Sequence, residues 1–290
     1  MFRPSSISRL LEAKPTAQKP KERERETPTI KTAEEIAIMR EAGRVTARAL
    51  QAVREAIRPG ISTLALNDIA ETVIRDHGAV PCFLGYAPNN HPPFPTTITA
   101  CLNHELVHGI ARADVILKEG DIVSIDTACF YQGMVGDAAF TVAVGEVPPA
   151  VRRLIDVTEQ ALQAAIAASQ VGKMVSDVAR ATESVASKNG YSVALEYTGH
   201  GVGRKMHEAP QVPNWWPSAK QRRNPRHSFQ DYELVEGMTY AIEPMVIAGR
   251  NALEELKDGW TVVTKDRSLC AHCEHTIAIT ADGPQILTLL

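Results

Sequence analysis

Hydrophobic residues recur every three or four positions along residues 36–57, which places them on one face of an α-helix. Thr32 and Glu35 form a capping-box signature, so we expect this helix to begin at Thr32. Pro59-Gly60 ends it, and a second helix is predicted from about Ser62 to Gly78. The first part of the pattern therefore predicts two consecutive amphipathic helices.

A similar pair of helices is predicted in the second half of the chain. Pro148-Pro149 opens a long alanine-rich helix that Gly172 closes, and a shorter helix follows from Ser176 to Asn189. Asn67-Asp-Ile-Ala in the first pair is matched by Ser176-Asp-Val-Ala in the second. A long helix followed by a short one is common, so the repetition is weak. It suggests two duplicated halves with one site between them.

Apolar, β-branched segments at 121–127 and 138–144 predict a β-hairpin with Tyr131-Gln-Gly as its turn. Asp126 and Asp137 are equally far from a centre between residues 131 and 132, so we expect their carboxylates to face each other across the ladder. Like charges this close normally need a cation between them. Two exposed aspartates near a turn are the ordinary alternative.

The remaining pattern adds strands and one long loop. Strands are predicted at 191–197, 238–247, 260–264 and, as the last one, 274–280. Residues 210–231 are rich in Pro, Arg, Asn and Trp without a period, which predicts a long surface loop. Together the elements predict an α/β (α+β) protein with much antiparallel sheet.

The composition predicts a basic N-terminal extension. It argues against a disulfide-rich protein and against a membrane-spanning one. Residues 1–31 carry eight Lys/Arg and four Glu, with little to bury, and predict a disordered basic extension before a domain at 32–290. Five cysteines do not make a disulfide framework and favour a reducing, cytosolic compartment. No apolar stretch approaches the roughly 20 residues of a membrane-spanning helix.

Residues that could bind a metal occur at four places. They are Asp126 with Asp137, His200 in a glycine-rich segment, Glu243 before a proline, and Glu274 at the start of the last predicted strand. An acid at a strand edge is more often solvated than functional. The case for a metal site therefore rests on their combination.

That combination, in its order and spacing, closely resembles type I methionine aminopeptidase over about residues 32–290. The motifs that carry the resemblance are Val107-His108-Gly109, Ile125-Asp126, Gly136-Asp137, Gly199-His200-Gly201-Val-Gly203-Arg, Met206-His207-Glu208-Ala-Pro210, Ala241-Ile-Glu243-Pro-Met, Gly259-Trp260 and Glu274-His-Thr. The resemblance implies the pita-bread fold, a pseudo-twofold pair of αβ halves with antiparallel sheet around a dinuclear metal site. This agrees with the weak duplication in the helix pattern.

By the same resemblance, the metal ligands are Asp126, Asp137, His200, Glu243 and Glu274. They would hold two divalent ions, and the donor set suits Co, Mn, Fe or Zn. Glu243 would also be the general base for metal-hydroxide attack on the first peptide bond. His108 and His207 would lie beside the substrate, bind or protonate the peptide and stabilise the oxyanion.

The resemblance also implies an apolar pocket for the methionine side chain. The matching positions are Phe83, Tyr86, Phe94, Thr99, Met206 and Trp260. Thioether packing against aromatic rings suits methionine. Several of these residues differ from those of common family members, and an insertion at 87–93 interrupts the match.

Two short motifs offer rival zinc sites. His104-Glu-Leu-Val-His108 matches the H-E-x-x-H signature of helical zinc proteases. The β-branched residues before it and Gly109 directly after it argue against a helix there. Cys270-Ala-His-Cys273 is only half of a four-cysteine zinc site, and buried or loop thiols are the better interpretation.

The leading hypothesis is removal of the N-terminal methionine from nascent polypeptides by a cytoplasmic monomer. A proline-specific peptidase of the same fold and a non-catalytic ribosome- or nucleic-acid-binding relative are the alternatives. Basic and aromatic residues in the 210–231 loop could contact the ribosome, although most basic loops are simply solvated. A non-catalytic relative is expected to have lost metal ligands, and all five are present.

Overall fold

A computed structural model describes residues 27–88, 91–224 and 228–290. Its helices are α1 (Ala33–Ala56), α2 (Thr63–Asp76), α3 (Pro149–Ala168) and α4 (Val175–Lys188), with a 3-10 turn at Gln221–Arg223. The Thr32 hydroxyl accepts from the Glu35 amide at 3.3 Å, and the Glu35 carboxylate accepts from the Thr32 amide at 3.0 Å. The capping box and the four predicted helices are thereby confirmed.

The strands are short except for one hairpin. They are β1 (Val80–Pro81), β2 (Thr99–Leu102), β3 (Glu105–Val107), β4 (Ile122–Tyr131), β5 (Met134–Ala143), β6 (Ser192–Val193), β7 (Thr198–Gly201), β8 (Glu208–Pro213), β9 (Thr239–Ile242), β10 (Met245–Ile247), β11 (Leu253–Glu255), β12 (Val262–Thr264), β13 (Cys270–His272), β14 (Glu274–Thr280) and β15 (Gly283–Ile286).

Nine strands form one antiparallel sheet in the order β1-β4-β5-β14-β9-β7-β8, with β2 also on β4 and β15 also on β14. The triplets β13-β10-β6 and β11-β12-β3 form two smaller sheets. Helices α1 and α2 pack on β4 and β5 through a core that includes Val53, Leu66 and Phe140. Helices α3 and α4 pack on β9 and β14 around Leu162, Val178 and Ile277. Two helix pairs thus cover two halves of one sheet, as the duplication predicted.

The β4–β5 hairpin is confirmed, but its predicted register is wrong. Tyr131 pairs with Met134, so the turn is Gln132-Gly133, with φ of 49° and 82°. Two central residues with positive φ make a type I′ turn, the form that matches strand twist. The hairpin centre therefore lies one residue later than predicted. Asp126 and Asp137 are diagonal neighbours, opposite Ala139 and Ala128 respectively.

Other strand boundaries also differ from the predictions. The 238–247 segment divides into β9 and β10 around Glu243-Pro244, because proline has no amide to donate to a ladder. Only Ser192–Val193 of 191–197 and Val262–Thr264 of 260–264 are strand, and β15 follows the strand expected to be last.

The loop predicted at 210–231 begins instead within β8. Trp215 is 2% exposed, and its indole donates to the Leu195 carbonyl at 3.2 Å, so this part is core rather than surface. Arg226, one of the basic residues of that prediction, lies outside the described residues.

The extension predicted for 1–31 lies mostly outside the described residues, and the domain boundary at residue 32 stays a prediction. Among residues 27–31, Ile30 bridges to Met238 and Lys31 is buried. All five cysteines are free and buried. In the described part of the chain no helix is long and apolar enough to cross a membrane.

Candidate metal centre

Three neighbouring strands bring three carboxylates to one face of the large sheet. Asp126 on β4 and Glu274 on β14 both pair with Ala139, from opposite sides of β5. Residues opposite each other in an antiparallel pair share a face. Asp137 lies two residues before Ala139, so it shares that face as well. The strand register alone therefore brings these three carboxylates together on one face of the sheet.

An imidazole and a fourth carboxylate complete the group. His200 Nε2 lies 3.8 Å from Asp137 Oδ2 and 3.7 Å from Glu243 Oε1. His200 Nδ1 donates to the Gly201 carbonyl at 3.0 Å, which leaves the Nε2 lone pair directed at the carboxylates. The glycines beside His200 are needed for close packing, since a Cβ on Gly201 would lie 2.0 Å from the Ala209 carbonyl oxygen.

The chemistry of this group fits a divalent cation. Asp137, His200 and Glu274 each offer a ligand atom within 4.8 Å of the others. Asp126 Oδ1, Asp137 Oδ1 and Glu274 Oε1 are buried without a hydrogen-bond partner among the described residues. Buried polar atoms are rarely left unpaired, and carboxylates this close repel each other. A bound cation would satisfy both requirements.

The pKa values of these groups reflect desolvation and mutual repulsion. Desolvation raises the pKa of Asp137 to about 7. Desolvation, together with the charge of Asp137, also raises the pKa of Asp126, Glu243 and Glu274. Desolvation lowers the pKa of His200 to about 3, so its imidazole is neutral at physiological pH. A neutral imidazole is the form that binds a metal.

Every predicted site residue lines one cavity of about 530 Å³. The pocket residues in its lining are Phe83, Tyr86, Phe94, Thr99, Met206 and Trp260. The Phe94 and Trp260 rings meet edge to face with centroids 5.1 Å apart, and Phe83 approaches Phe94 at 6.4 Å. Such pairs give a stable apolar wall.

Two histidines border the space between ligands and aromatic wall. His207 Nδ1 forms a hydrogen bond with the Tyr86 hydroxyl at 3.1 Å, and its ring centroid lies 4.2 Å from that of His200. The His108 ring packs edge to face against Tyr197 at 5.7 Å. Desolvation and the nearby His207 lower the pKa of His108 to about 4. Both imidazoles can therefore offer neutral hydrogen-bond donors to a ligand.

Sequence reasoning missed His91, which also lines the cavity. It belongs to the 87–93 insertion and no motif marks it. Its Nδ1 bonds the Gly259 carbonyl at 2.8 Å, and its ring centroid lies 5.1 Å from that of Trp260. The Trp260 indole donates to the Pro92 carbonyl at 3.0 Å. Hydrogen bonds and ring packing therefore hold the insertion against the pocket wall.

It also missed His272, whose Nε2 lies 3.6 Å from Glu243 Oε2. This histidine stands inside the Cys270-to-Cys273 motif, and its departure from the family's usual glutamine was the available signal. Cys270 and Cys273 pack in different apolar clusters. Within the described residues neither belongs to a potential metal-ligand group, and both thiols are buried.

The H-E-x-x-H motif does not form a helix. Glu105–Val107 is strand β3, and His108 has a φ of 60°. The Glu105 carboxylate accepts from the Leu102 amide at 2.8 Å, and among the described residues it is not part of the metal-ligand group. A helical zinc site needs both histidines on one helix face. The rejection of that hypothesis is confirmed.

Comparisons with known proteins agree with this site. Residues 37–281 match the model of metallopeptidase family M24. A curated methionine aminopeptidase from Aquifex aeolicus is 43% identical over 259 residues, which cover 88% of this chain and 96% of the relative. The crystal structure of methionine aminopeptidase from Thermotoga maritima superposes with a TM-score of 0.84 at 38% identity, covering 91% of this chain and all of that one.

The fold is shared more widely. A prolidase from Pyrococcus furiosus superposes with a TM-score of 0.70 at 24% identity, and the match covers 90% of this chain but 65% of the prolidase. At that identity the likeness shows the fold alone. The predicted pita-bread architecture is confirmed by both kinds of neighbour.

Proposed function

The chain belongs to metallopeptidase family M24, whose members use divalent metal, and from that premise we propose that it removes the N-terminal methionine of nascent polypeptides. One observation carries the proposal. Four carboxylates and one imidazole line a single cavity together with aromatic side chains and two further histidines. Ligands, hydrogen-bond donors and an apolar pocket are the three parts that such a reaction needs.

We assign the metal to Asp126, Asp137, His200, Glu243 and Glu274. Four carboxylates can balance two divalent ions, and one imidazole among oxygen ligands suits Co, Mn, Fe or Zn. When bound, such ions would polarise the scissile carbonyl and activate water for attack. The unpartnered oxygens of Asp126, Asp137 and Glu274 support this assignment.

The protein's own side chains then hold and move protons. Glu243, next to His200, is the general base that takes the proton from the attacking water and delivers it to the leaving amine. The Tyr86 hydroxyl and His207 Nδ1 share a hydrogen bond. With the hydroxyl as its donor, the Nε2–H of His207 is left to donate to the peptide oxygen. His108, which lines the same cavity, is the second donor. Fixed donors of this kind stabilise the charge that develops on the oxygen.

The aromatic wall selects the first residue. Phe83, Phe94 and Trp260 form an apolar slot with Met206 at its edge. A linear thioether side chain fills such a slot and gains sulfur–aromatic contacts. Binding there would place the first peptide bond beside His207 and the metal ligands.

The test is release of free methionine from a Met-Ala-Ser peptide. The metal-stripped protein is refilled with Mn, Fe, Co or Zn. It is then assayed on this peptide and, in parallel, on an X-Pro peptide. Metal-dependent methionine release with the X-Pro peptide intact is the expected result. Cleavage of the X-Pro peptide alone would replace the proposal by a proline-specific peptidase. No cleavage of either peptide with metal bound would make the chain a binding protein.

We further propose that the enzyme acts as a cytoplasmic monomer close to the ribosome. Exposed Lys220 and Arg222, which follow the half-buried Trp216 in the chain, support contact with a nucleic-acid surface. Cosedimentation with ribosomes at low and high salt tests this contact, and Lys220→Glu/Arg222→Glu is expected to abolish it. Cosedimentation unchanged in that variant would refute a role for these residues.

A further inference from the structure

Lys31 forms a buried ion pair directly behind the catalytic histidine turn. Its Nζ lies 2.6 Å from Glu208 Oε2, and the two side chains are 0% and 8% exposed. Glu208 follows His207 in the chain. Most surface ion pairs contribute little, whereas breaking a buried pair leaves an uncompensated charge. This contact is therefore a strong constraint on the residues beside it.

Glu208 uses its other oxygen to close the turn that carries His207. Oε1 accepts from the Lys205 amide at 3.0 Å, so Met206 and His207 lie within a turn that this bond closes. Oε2 accepts from the Thr29 hydroxyl at 2.6 Å as well as from Lys31. One carboxylate thus joins residues 29–31 to the His207 turn.

Lys31 is itself held in place by the body of the protein. Its amide donates to the Gly237 carbonyl at 2.8 Å, and the capped start of α1 follows it directly. Its aliphatic stem passes over Gly203, where a Cβ would lie 2.2 Å from Lys31 Cε. The lysine has little room to move, so its charge fixes the position of Glu208.

We propose that Lys31 and Glu208 form a clamp that positions His207 against the substrate. Lys31 is a positioning residue, since it acts through Glu208 and does not line the cavity. The inference rests on the proposed function and extends its machinery to residues that precede α1. The Tyr86 hydroxyl restrains the His207 ring from the cavity side, and the clamp restrains its backbone from behind.

The experiment compares Lys31→Met and Glu208→Gln with the full-length enzyme. Each is expected to lower kcat by about 10²-fold, the effect of misplacing a catalytic group by 1 Å. Metal affinity, measured by calorimetry, should stay within twofold of wild type, because the clamp contacts no proposed ligand. Arg204→Met is the matched control. It removes a more exposed ion pair, with Glu35, from the same segment and should leave kcat unchanged.

A double-mutant cycle separates positioning from a general loss of structure. In a His207→Ala background, Lys31→Met should reduce the residual kcat less than twofold. An equal loss in both backgrounds, or no loss in either, would overturn the proposal.

An NMR readout remains decisive if no peptide is cleaved. The imidazole signal of His207, assigned by its disappearance in His207→Ala, should shift in Lys31→Met and Glu208→Gln but not in Arg204→Met. Unshifted signals in both clamp variants would refute the clamp. An inactive wild-type protein whose signals shift as expected would refute only the proposed function.

Discussion

Asp126 and Glu274 lie opposite the same residue, Ala139, from the two sides of strand β5. Their strands come from distant parts of the chain, and the sheet register is what brings the carboxylates together. Asp137, two residues before Ala139, completes the trio. Placing two buried acids and one half-buried acid on one face costs stability unless a cation binds them. The metal centre is therefore expected to dominate both the stability and the activity of this protein.

Asp137→Asn is expected to stabilise the metal-stripped protein and to remove its response to metal. The amide eliminates a buried charge beside three other carboxylates. We expect the melting temperature without metal to rise by about 2–4 °C, the shift that 1 kcal/mol produces in a protein of this size. With Mn or Co added, wild type should gain stability and the variant should not.

Asp156→Asn, at an exposed position on α3, is the matched control and should leave both melting temperatures unchanged. Scanning calorimetry with and without metal measures the effect. A melting temperature that falls in the metal-stripped variant would show that Asp137 stabilises the fold without a cation.

Metal binding is expected to release protons near neutral pH. Desolvation raises the pKa of Asp137 to about 7 and raises those of Glu243 and Glu274. Carboxylates with raised folded-state pKa values destabilise the metal-free fold as pH rises through those values, because each must ionise. A cation favours the ionised forms, so its affinity should increase between about pH 6 and pH 8. Titration calorimetry in two buffers of different ionisation enthalpy counts the released protons, and equal heats would contradict the prediction.

Much of this architecture can be predicted from local sequence. The Thr32 capping box and the apolar spacing after it determine where α1 starts and which face it buries. The hairpin was predictable, but its register required knowing that Gln132 and Gly133 both adopt positive φ. Because the predicted hairpin centre was one residue too early, Asp126 was expected directly opposite Asp137. In the structure the two residues are diagonal neighbours.

Contacts across long sequence separations could not be predicted in the same way. Lys31 is one of eight basic residues among residues 1–31, so nothing in the sequence marks it out. Its partner Glu208 stands 177 residues later. His91 lies in an insertion that matches no motif, so only its packing on Trp260 places it in the cavity. The resemblance to a family implied the ligand set. The Lys31–Glu208 pair and the position of His91 become visible only in the folded structure.

His104 and His108, which share the H-E-x-x-H motif, should differ sharply in function. His108 lines the cavity, and His104 does not. His108→Ala is expected to lower kcat about 10²-fold, as loss of an oxyanion donor does in other hydrolases. His104→Ala should change it less than twofold. Steady-state kinetics on a Met-Ala-Ser peptide makes the comparison. An equally large loss in His104→Ala would contradict this division of roles.

His272 is expected to strengthen metal binding by orienting Glu243. Its Nε2 lies 3.6 Å from Glu243 Oε2, while Glu243 Oε1 faces His200. Desolvation lowers the pKa of His272 to about 3, so the imidazole is neutral rather than a competing cation. Its buried Nε2 has no hydrogen-bond partner among the described residues, so it is available to donate to Glu243 Oε2 when metal binds. Partners of metal ligands typically contribute about 10- to 100-fold in affinity, and His272→Leu should weaken metal binding by that factor.

His272→Gln should keep most of the affinity, because an amide can donate to the same oxygen. Cys270→Ser, in the same strand but packed in an apolar cluster, is the control for a general disturbance of β13 and should leave metal affinity unchanged. The dissociation constant for Mn or Co, measured by titration calorimetry, distinguishes the three variants. Equal affinity in the Leu and Gln variants would mean that the metal itself, and the interruption of the strand at Pro244, orient Glu243. A loss in Cys270→Ser as large as that in His272→Leu would assign the effect to strand packing, since the thiol touches no ligand.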